Sequence, residues 1–337
     1  MKALVMHGPG DLRVESVAEP QVRTGKALLR VRRVGLCGSD LNSYRGRNPL
    51  MTYPRIPGHE IAATIMALSE PHPEFSTGMD VTLAPYSHCG ACSACRNGRP
   101  NACESNETMG VQRDGALTEY LAVPIEKLYR ANLSLNELCL VEPLTVGAHA
   151  VARGVVRERD KVAIFGCGGV GLGAVAASAF RGAVTIAIDV NDDKLALARE
   201  AGANYTIHSH REELGSALSA IVGPDGPDVI IEAVGMAESF RAAVELISFT
   251  GRVVYIGYAK EPVTYETRLF VQKELDIRGT RNALPEDFRQ VIRMLEEGRF
   301  PVASVIDRVA PLDEAPDLLA AWSAHPSQFK KIMITLD

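Results

Sequence analysis

Residues 161–171 read Lys-Val-Ala-Ile-Phe-Gly-Cys-Gly-Gly-Val-Gly, an apolar run that leads into a G-x-G-x-x-G turn. A helix-like apolar stretch follows, and a second apolar run over 184–189 ends in an acid, Asp189. A strand, a glycine turn, a helix and a second strand form a βαβ unit whose backbone can approach a pyrophosphate at the helix N-terminus. The stretch therefore predicts a dinucleotide-binding unit. The alternative is a glycine-rich turn that packs a helix on a sheet and binds no ligand.

The acid at the end of the second strand predicts which dinucleotide is bound. A carboxylate at Asp189 can accept hydrogen bonds from ribose hydroxyls, and it would repel the 2′-phosphate of NADP. Val190 and Asn191 follow it, so no arginine stands beside it to receive a phosphate, although Lys194 is close in sequence. These residues favour NAD.

The sequence on either side of this unit differs in character. From about residue 145 onward, short apolar runs alternate with helix-like stretches, a pattern typical of a parallel α/β sheet. Up to about residue 130 the chain reads instead as short strands separated by glycine and proline. A chain of 337 residues with two such parts is expected to form two domains.

Composition argues against several classes of protein. Hydrophobic residues make up 46% of the chain and charged residues 23%, as in folded globular proteins. The net charge is −5 and no basic stripe is present, so no nucleic-acid partner is expected. The uncharged stretch 162–180 contains five glycines, which favours a strand, turn and helix over a membrane span. The N-terminus has no signal-peptide pattern, and a cytoplasmic location is expected.

Four of the seven cysteines lie close together with the spacing C-x2-C-x2-C-x7-C. Cysteines so close in sequence can converge on one ion, and tetrahedral Zn²⁺ takes four thiolates in this way. The competing interpretations are an iron–sulfur cluster and disulfides. A zinc site filled by four protein ligands has no open position, so it is expected to stabilise a lobe of the protein. The four residues are Cys89, Cys92, Cys95 and Cys103.

A second set of metal-ligand types occurs outside this lobe. Cys37, His59, Glu60 and Glu142 offer the thiolate, imidazole and carboxylate groups typical of a catalytic zinc with an open position. A His-Glu pair alone is weak support for a metal site, because such pairs commonly lie on the surface or pack in the core. The pattern by itself leaves both interpretations open.

Taken in order along the chain, these motifs resemble those of the zinc-dependent medium-chain alcohol dehydrogenases. The matching segments are Cys37-Gly-Ser39-Asp40, Gly58-His59-Glu60, the four-cysteine lobe, Glu142-Pro-Leu144 and the glycine turn 166–171, and together they span essentially the whole chain. Glu142-Pro-Leu144 is similar to the sorbitol and threonine dehydrogenase branch. Residues 53–60 and 281–288 resemble bacterial relatives that act on sugar acids and polyols, such as L-gulonate 5-dehydrogenase.

The resemblance implies a fold and a set of partners. The fold would be α/β, with a GroES-like β-barrel catalytic domain at 1–145, completed by 285–337, and a Rossmann doubly wound parallel-sheet domain at 146–284. It implies two Zn²⁺ per chain, NAD as cofactor, a small polyol or sugar-acid substrate, and a homodimer or homotetramer. No membrane partner is expected.

The resemblance also implies roles for individual residues. The zinc ligands would be Cys37, His59 and Glu60, while Glu142 would either ligate zinc directly or act beside it through water. Asp40 would orient the ligand histidine, and Ser39 would take the substrate proton. Asn42 departs from the family, because many relatives have at this position a histidine that passes the proton to solvent. The implied cofactor-binding set is Gly166, Gly168, Gly169, Val170, Gly171, Asp189, Lys194, Ile256, Gly257 and Arg281, of which Arg281 matches a substrate-contacting arginine of the sorbitol branch.

The resemblance predicts a zinc-dependent oxidoreductase that transfers a hydride between a secondary alcohol and NAD. Two alternatives compete with this prediction. One is a zinc-independent quinone or enone reductase of the same superfamily, which would generally lack the Cys37, His59 and Glu60 set. The other is a non-enzymatic nucleotide-binding protein on the same fold, because a fold does not determine a function.

Overall fold

The computed structural model describes residues 1–336, which form two compact units. Unit 1 contains Met1–Glu142 and the described tail from Val302, and unit 2 contains Pro143–Pro301. The strands are β1 (Lys2–Gly8), β2 (Asp11–Ser16), β3 (Lys26–Gly35), β4 (Glu60–Leu68), β5 (Asp80–Leu83), β6 (Tyr120–Pro124), β7 (Leu128–Arg130), β8 (Lys161–Phe165), β9 (Val184–Asp189), β10 (Tyr205–His208), β11 (Val229–Glu232), β12 (Arg252–Tyr255), β13 (Asp276–Gly279), β14 (Ile306–Pro311) and β15 (Lys331–Thr335). The α-helices are α1 (Gly38–Tyr44), α2 (Ser93–Arg96), α3 (Leu135–Arg153), α4 (Gly169–Phe180), α5 (Asp192–Glu200), α6 (Leu214–Val222), α7 (Ala237–Leu246), α8 (Arg268–Gln272), α9 (Pro285–Glu296), α10 (Val302–Val305) and α11 (Ala315–Ala324).

Unit 1 is built around strand β3. This strand pairs antiparallel with β4 along one edge, and with β6 and β15 along the other. The sheet order is β14-β15-β3-β4-β5-β7, with β6 added at β3, and β1 and β2 form a separate hairpin. Apolar side chains of β3 and β4, including the fully buried Leu29 and Ile65, enter the core of this unit. Pairing with β15 brings the C-terminal segment beside the end of β3, where the chain turns into α1.

Unit 2 is a six-stranded parallel sheet in the order β10-β9-β8-β11-β12-β13. Parallel strands covered on both faces read as continuous apolar runs, and β8 and β11 are almost entirely buried. The order reverses direction between β8 and β11, and ligands of doubly wound sheets bind outside the carboxyl ends of the strands at such a point. The parallel sheet predicted from the alternating apolar runs is therefore present.

The chain passes between the two units at two points. The chain leaves unit 1 within α3, after Glu142, and returns to it only at Val302, whereas the sequence placed these points at 145/146 and 284/285. Helix α9 accounts for the later return, because it packs on the helices of unit 2. Asp287 on α9 lies 2.8 Å from His149 Nδ1, and Gln290 accepts a 2.7 Å hydrogen bond from Arg181.

The apolar stretch 162–180 divides into β8, the glycine turn and α4. Within residues 1–336, none of the helices combines the length and the apolar character needed to cross a bilayer.

Candidate active site

Asp40 joins the two loops that carry the predicted zinc ligands. Its Oδ2 atom accepts a 2.9 Å hydrogen bond from the backbone N–H of Cys37, which caps helix α1 at its N-terminus. Its Oδ1 atom accepts a 3.4 Å hydrogen bond from the backbone of Gly58, next to His59. Asp40 is 1% exposed, and this burial raises the pKa of its carboxyl group. The loops before α1 and β4 are therefore held together by one buried carboxylate.

Cys37, His59 and Glu60 converge at this junction. One ligand atom from each residue, sulfur, nitrogen and oxygen, lies within 4.8 Å of the other two. Although His59 is buried, its Nδ1 atom finds no hydrogen-bond partner among residues 1–336. A mixed S, N, O donor set with an unsatisfied imidazole nitrogen fits a divalent zinc ion. The donor set therefore suits the metal that the resemblance implies.

The electrostatics of the junction favour a cation. Burial alone would lower the pKa of His59, but Asp40, Cys37 and Glu142 around it raise that pKa well above its usual value. In the absence of a metal, the histidine would therefore attract a proton. Zn²⁺ competes for the same nitrogen, and its charge would replace that of the proton.

Glu142 is close to this cluster but is not one of its members. Its carboxylate accepts a short hydrogen bond from the buried hydroxyl group of Tyr86. Burial raises the pKa of Glu142 to about 7, and Glu60 raises it as well, while His59 and Tyr86 act in the opposite direction. Of the two possibilities left open by the sequence, this position is compatible with Glu142 acting beside the metal through water.

Ser39 lies in the first turn of α1, between Cys37 and Asp40. Its hydroxyl oxygen is buried, yet it has no hydrogen-bond partner among the described residues. A buried hydroxyl group without a partner is unfavourable unless a ligand or water satisfies it. Asn42, on the same helix, is exposed.

Glu60 has a strong partner that the sequence did not indicate. The ammonium group of Lys331, at the start of β15, lies 2.8 Å from Oε1 and 2.7 Å from Oε2 of Glu60. Burial lowers the pKa of Lys331, but Glu60 and Cys37 outweigh this effect, and the net shift is upward. Lys331 therefore brings a positive charge into direct contact with a predicted zinc ligand.

The four cysteines of the predicted structural site converge in the loop around α2. Sulfur–sulfur distances are 3.5 Å for Cys92–Cys95, 3.8 Å for Cys92–Cys103 and 3.5 Å for Cys89–Cys103. Four thiolates at about 2.3 Å from one tetrahedral ion lie about 3.8 Å apart, whereas a disulfide requires about 2.05 Å. Backbone N–H groups of Cys95 and Glu104 lower the pKa of Cys92 to about 6, which favours a thiolate. The geometry fits a single zinc ion and does not fit disulfides.

The glycines of the turn in unit 2 differ in whether the protein's own packing and backbone conformation require them. A Cβ atom on Gly171 would lie 1.8 Å from the carbonyl oxygen of Gly166, and Gly166 itself has a φ of +89°. Packing and backbone conformation therefore require glycine at both positions. At Gly168 and Gly169 a Cβ atom would meet no atom of residues 1–336 within 4 Å, so the packing of the described chain leaves space there. This open backbone at the N-terminus of α4 fits the approach of a pyrophosphate.

Asp189 connects the end of β9 to this turn. Its Oδ2 atom accepts a 2.8 Å hydrogen bond from the backbone of Cys167, and its Oδ1 atom accepts from Val190 and Asn191. A carboxylate offers about four acceptor positions, so one position remains for a ribose hydroxyl. Asp189 is therefore part of the turn's own structure as well as a candidate ribose ligand.

The remaining predicted cofactor residues occupy the ends of other strands and helices of unit 2. Ile256 and Gly257 follow β12 and are half-buried, and a Cβ atom on Gly257 would lie 2.5 Å from Oε2 of Glu232. Lys194 is an exposed residue of α5, and Arg281 is exposed shortly after β13. Val170 is in the first turn of α4.

Three buried polar residues that the sequence did not indicate lie at the candidate sites, two in unit 1 and one in unit 2. Tyr86 and Lys331 contact the carboxylates of Glu142 and Glu60. Glu232, fully buried at the end of β11, accepts hydrogen bonds from the backbone of Val234 and Gly235. Nothing in the motifs marks these residues, although a lysine at the start of the apolar run 331–336 was a possible signal for Lys331.

Comparison with protein-family models identifies both parts of the chain. Residues 23–132 match the alcohol dehydrogenase GroES-like domain, and residues 169–297 match the zinc-binding dehydrogenase domain. These matches confirm the predicted GroES-like and Rossmann-type fold classes.

Individual relatives match over nearly the full length. L-galactonate-5-dehydrogenase of Escherichia coli is 32% identical, over 89% of this chain and 88% of its own. The structure of the RspB alcohol dehydrogenase of E. coli CFT073 with NADH is 28% identical, with a TM-score of 0.92 over 100% of this chain and 99% of its own. A Sinorhizobium meliloti protein described as a zinc-binding dehydrogenase, solved with NADP, is 28% identical, with a TM-score of 0.91 over 99% of this chain and 98% of its own.

Proposed function

The chain belongs to the zinc-type medium-chain alcohol dehydrogenase family, and from this premise we propose that it oxidises a secondary alcohol of a sugar acid or polyol with NAD⁺. The observation that carries the proposal is the cluster of Cys37, His59 and Glu60, in which the buried His59 nitrogen has no partner among residues 1–336. In the overall reaction the carbinol carbon loses a hydride to the nicotinamide and its hydroxyl group loses a proton, which leaves a ketone.

We propose that Cys37, His59 and Glu60 hold a catalytic Zn²⁺, and that Cys89, Cys92, Cys95 and Cys103 hold a structural one. A bound Zn²⁺ would act as a Lewis acid that lowers the pKa of the substrate hydroxyl, and the nicotinamide would accept the hydride. Asp40 holds the loops of Cys37 and His59 in register through backbone N–H groups. Glu142, held by Tyr86, is proposed to act through water rather than as a direct ligand.

Ser39 is the proposed proton acceptor. Its hydroxyl oxygen is buried and lacks a partner among residues 1–336, so a substrate hydroxyl could donate to it without displacing another protein group. Because Asn42 replaces the usual relay histidine, the proton would leave the exposed end of α1 through water. The Ser39→Ala variant is expected to lower kcat with little loss of NADH affinity, because the proposed pyrophosphate and ribose contacts are made by the glycine turn and Asp189. Unchanged turnover would remove Ser39 from the mechanism.

NAD is proposed as the cofactor in preference to NADP. Asp189 places a carboxylate where the adenosine ribose of a bound dinucleotide is expected, and a 2′-phosphate would be repelled by it. The related structures hold both kinds of dinucleotide, one NADH and the other NADP. The preference is therefore argued from Asp189, with Lys194 as the nearby cation that could weaken it. Binding titrations with both cofactors measure the preference directly.

A sugar acid is the proposed substrate, with a neutral polyol as the second candidate. The L-galactonate-5-dehydrogenase of E. coli supports the acid, while the Glu142-Pro-Leu144 segment resembles the sorbitol branch. Arg281 offers a positive charge for a carboxylate. The deciding assay follows NADH formation from zinc-loaded protein and NAD⁺ with matched aldonates and alditols, with NADP⁺ in parallel. Aldonate turnover that falls strongly in Arg281→Gln would support carboxylate recognition.

The same spectrophotometric assay, run also in the direction of NADH consumption with enones and quinones, separates the two competing functions. A zinc-independent reductase would reduce enones or quinones at the same rate before and after zinc removal. A non-enzymatic nucleotide-binding protein would bind NADH and both zinc ions, yet turn over no member of either panel.

We further propose a cytoplasmic homo-oligomer, either a dimer or a tetramer. Strand β13 forms one edge of the parallel sheet in the described residues, and its Ile277 is 39% exposed. An edge strand presents unpaired backbone N–H and C=O groups, with which a second copy of the chain can pair. All seven cysteines are free, which suits a reducing compartment. Light scattering of the purified protein gives the oligomeric state.

A further inference from the structure

Strand β15 contributes a charge to the proposed zinc centre that no motif indicated. Lys331 and Glu60 are 8% and 1% exposed, and the ammonium nitrogen lies within 2.8 Å of both carboxylate oxygens. Its remaining hydrogen-bond partner is the backbone carbonyl of Leu36, at 3.3 Å, directly before Cys37. The three N–H groups of the ammonium therefore have three acceptors, two on the proposed ligand Glu60 and one directly before the proposed ligand Cys37.

The surrounding backbone is shaped to keep this pair together. Gly35 lies opposite Glu60 in the β3–β4 register and opposite Met333 in the β15–β3 register. A Cβ atom on Gly35 would lie only 2.0 Å from Oε2 of Glu60, so the carboxylate occupies the space that a side chain would fill. The Cys139 thiol on α3 donates a 3.4 Å hydrogen bond to the backbone carbonyl of Glu60. Glu60 is thus fixed at its backbone and directed toward Lys331.

We propose that Lys331 is a positioning residue that keeps Glu60 a weak zinc ligand and so makes the catalytic zinc easier to release. This inference rests on the proposed zinc centre. A carboxylate with both oxygens hydrogen-bonded to an ammonium group has less negative charge to offer a metal. The same positive charge also repels the dication. Without Lys331, Glu60 would be a stronger ligand, and the metal would be held more tightly.

The decisive variant is Lys331→Gln, which removes the charge and retains a hydrogen-bond donor. Lys331→Arg is the matched control, because it keeps the charge and can bind both carboxylate oxygens. Release of zinc to a chromogenic chelator measures how tightly the metal is held, and the four-cysteine zinc serves as an internal reference. Lys331→Gln removes the Coulomb repulsion between the ammonium group and the zinc ion. We therefore expect the catalytic zinc of this variant to dissociate at least about tenfold more slowly. Lys331→Arg should release zinc at the natural rate.

The ligand field of a substituted metal ion provides a second measurement that does not depend on activity. With Co²⁺ in place of the catalytic zinc, the visible ligand-field bands shift when one of the ligands binds the ion more strongly. Lys331→Gln should shift these bands and Lys331→Arg should not. In the Glu60→Gln background, the same Lys331→Gln change should have no effect on the bands, since Lys331 acts through Glu60.

The outcomes separate this inference from the proposed function. If the natural chain binds only the four-cysteine zinc, the proposed function fails and the inference fails with it. In the other case the natural chain binds both ions. If Lys331→Gln then releases zinc as fast as the natural chain, or faster while its melting temperature is unchanged, only the inference is overturned. Removing one partner of a buried ion pair can unfold a protein. In that case a crystal structure of the zinc-loaded natural chain decides, since detachment of Glu60 from Lys331 in it contradicts the inference.

Discussion

Gly169 offers a test in which cofactor binding and protein stability should change in opposite directions. It is the first residue of α4, and a Cβ atom there would meet nothing within 4 Å. The variant Gly169→Ala therefore fits the protein without strain, and alanine favours a helix over glycine by up to about 1 kcal/mol. For a unit of this size, 1 kcal/mol corresponds to about 2–4 °C in Tm. We expect the Tm to stay the same or rise by a few degrees.

The same methyl group should weaken the binding of the dinucleotide. The empty space at Gly169 is the proposed approach to the pyrophosphate, so a methyl group there should raise the dissociation constant of NADH at least about tenfold, or about 1.4 kcal/mol. Fluorescence titration with NADH gives the affinity, and thermal unfolding of the same samples gives the Tm.

The contrasting variant is Gly171→Ala, in the same turn. Its methyl group would lie 1.8 Å from the carbonyl oxygen of Gly166, a backbone atom that cannot move cheaply. Overpacking of this kind costs about 1–3 kcal/mol or more, so this variant should lose both stability and NADH binding. If Gly169→Ala binds NADH as tightly as the unmodified protein, the proposed pyrophosphate site is refuted. A large fall in the Tm of Gly169→Ala would refute the steric reasoning.

Two further predictions concern stability. Cys95→Ser should leave one zinc per chain instead of two and lower the melting temperature, because the remaining three thiolates no longer complete a tetrahedral site. Metal analysis that still finds two zinc ions would contradict the four-cysteine assignment. Arg252→Met should cost about 2–4 kcal/mol in denaturant unfolding, since Arg252 donates to the Val155 carbonyl and pairs with Asp160, with both charged side chains only 16% exposed. The control Arg13→Met, at an exposed ion pair with Asp11, should change stability much less, and an equal loss in both variants would contradict the burial argument.

The parts of the molecule that sequence could predict are those whose chemistry is local. The glycine turn 166–171 and its flanking strands were predicted because glycine spacing and apolar runs directly determine a strand, a turn and a helix. The four-cysteine lobe was predicted for the same reason, since its ligands lie within one short loop. The domain bounds stay a prediction, because the unit on which α9 packs depends on contacts between residues distant in sequence, such as Asp287 with His149.

The proposed catalytic centre depended on the tertiary structure. Sequence spacing and family resemblance suggested Cys37, His59 and Glu60, but only the pairing of β3 with β4 and the capping by Asp40 bring their ligand atoms together. Tyr86 and Lys331 carried no motif at all. Their roles arise because strand order places residues distant in sequence beside buried carboxylates, where an unpaired charge would be costly. The sequence by itself determined the local turns, the ligand types and the strand pattern, while the tertiary structure decided which buried charges meet, because those contacts depend on strand pairing across the whole of unit 1.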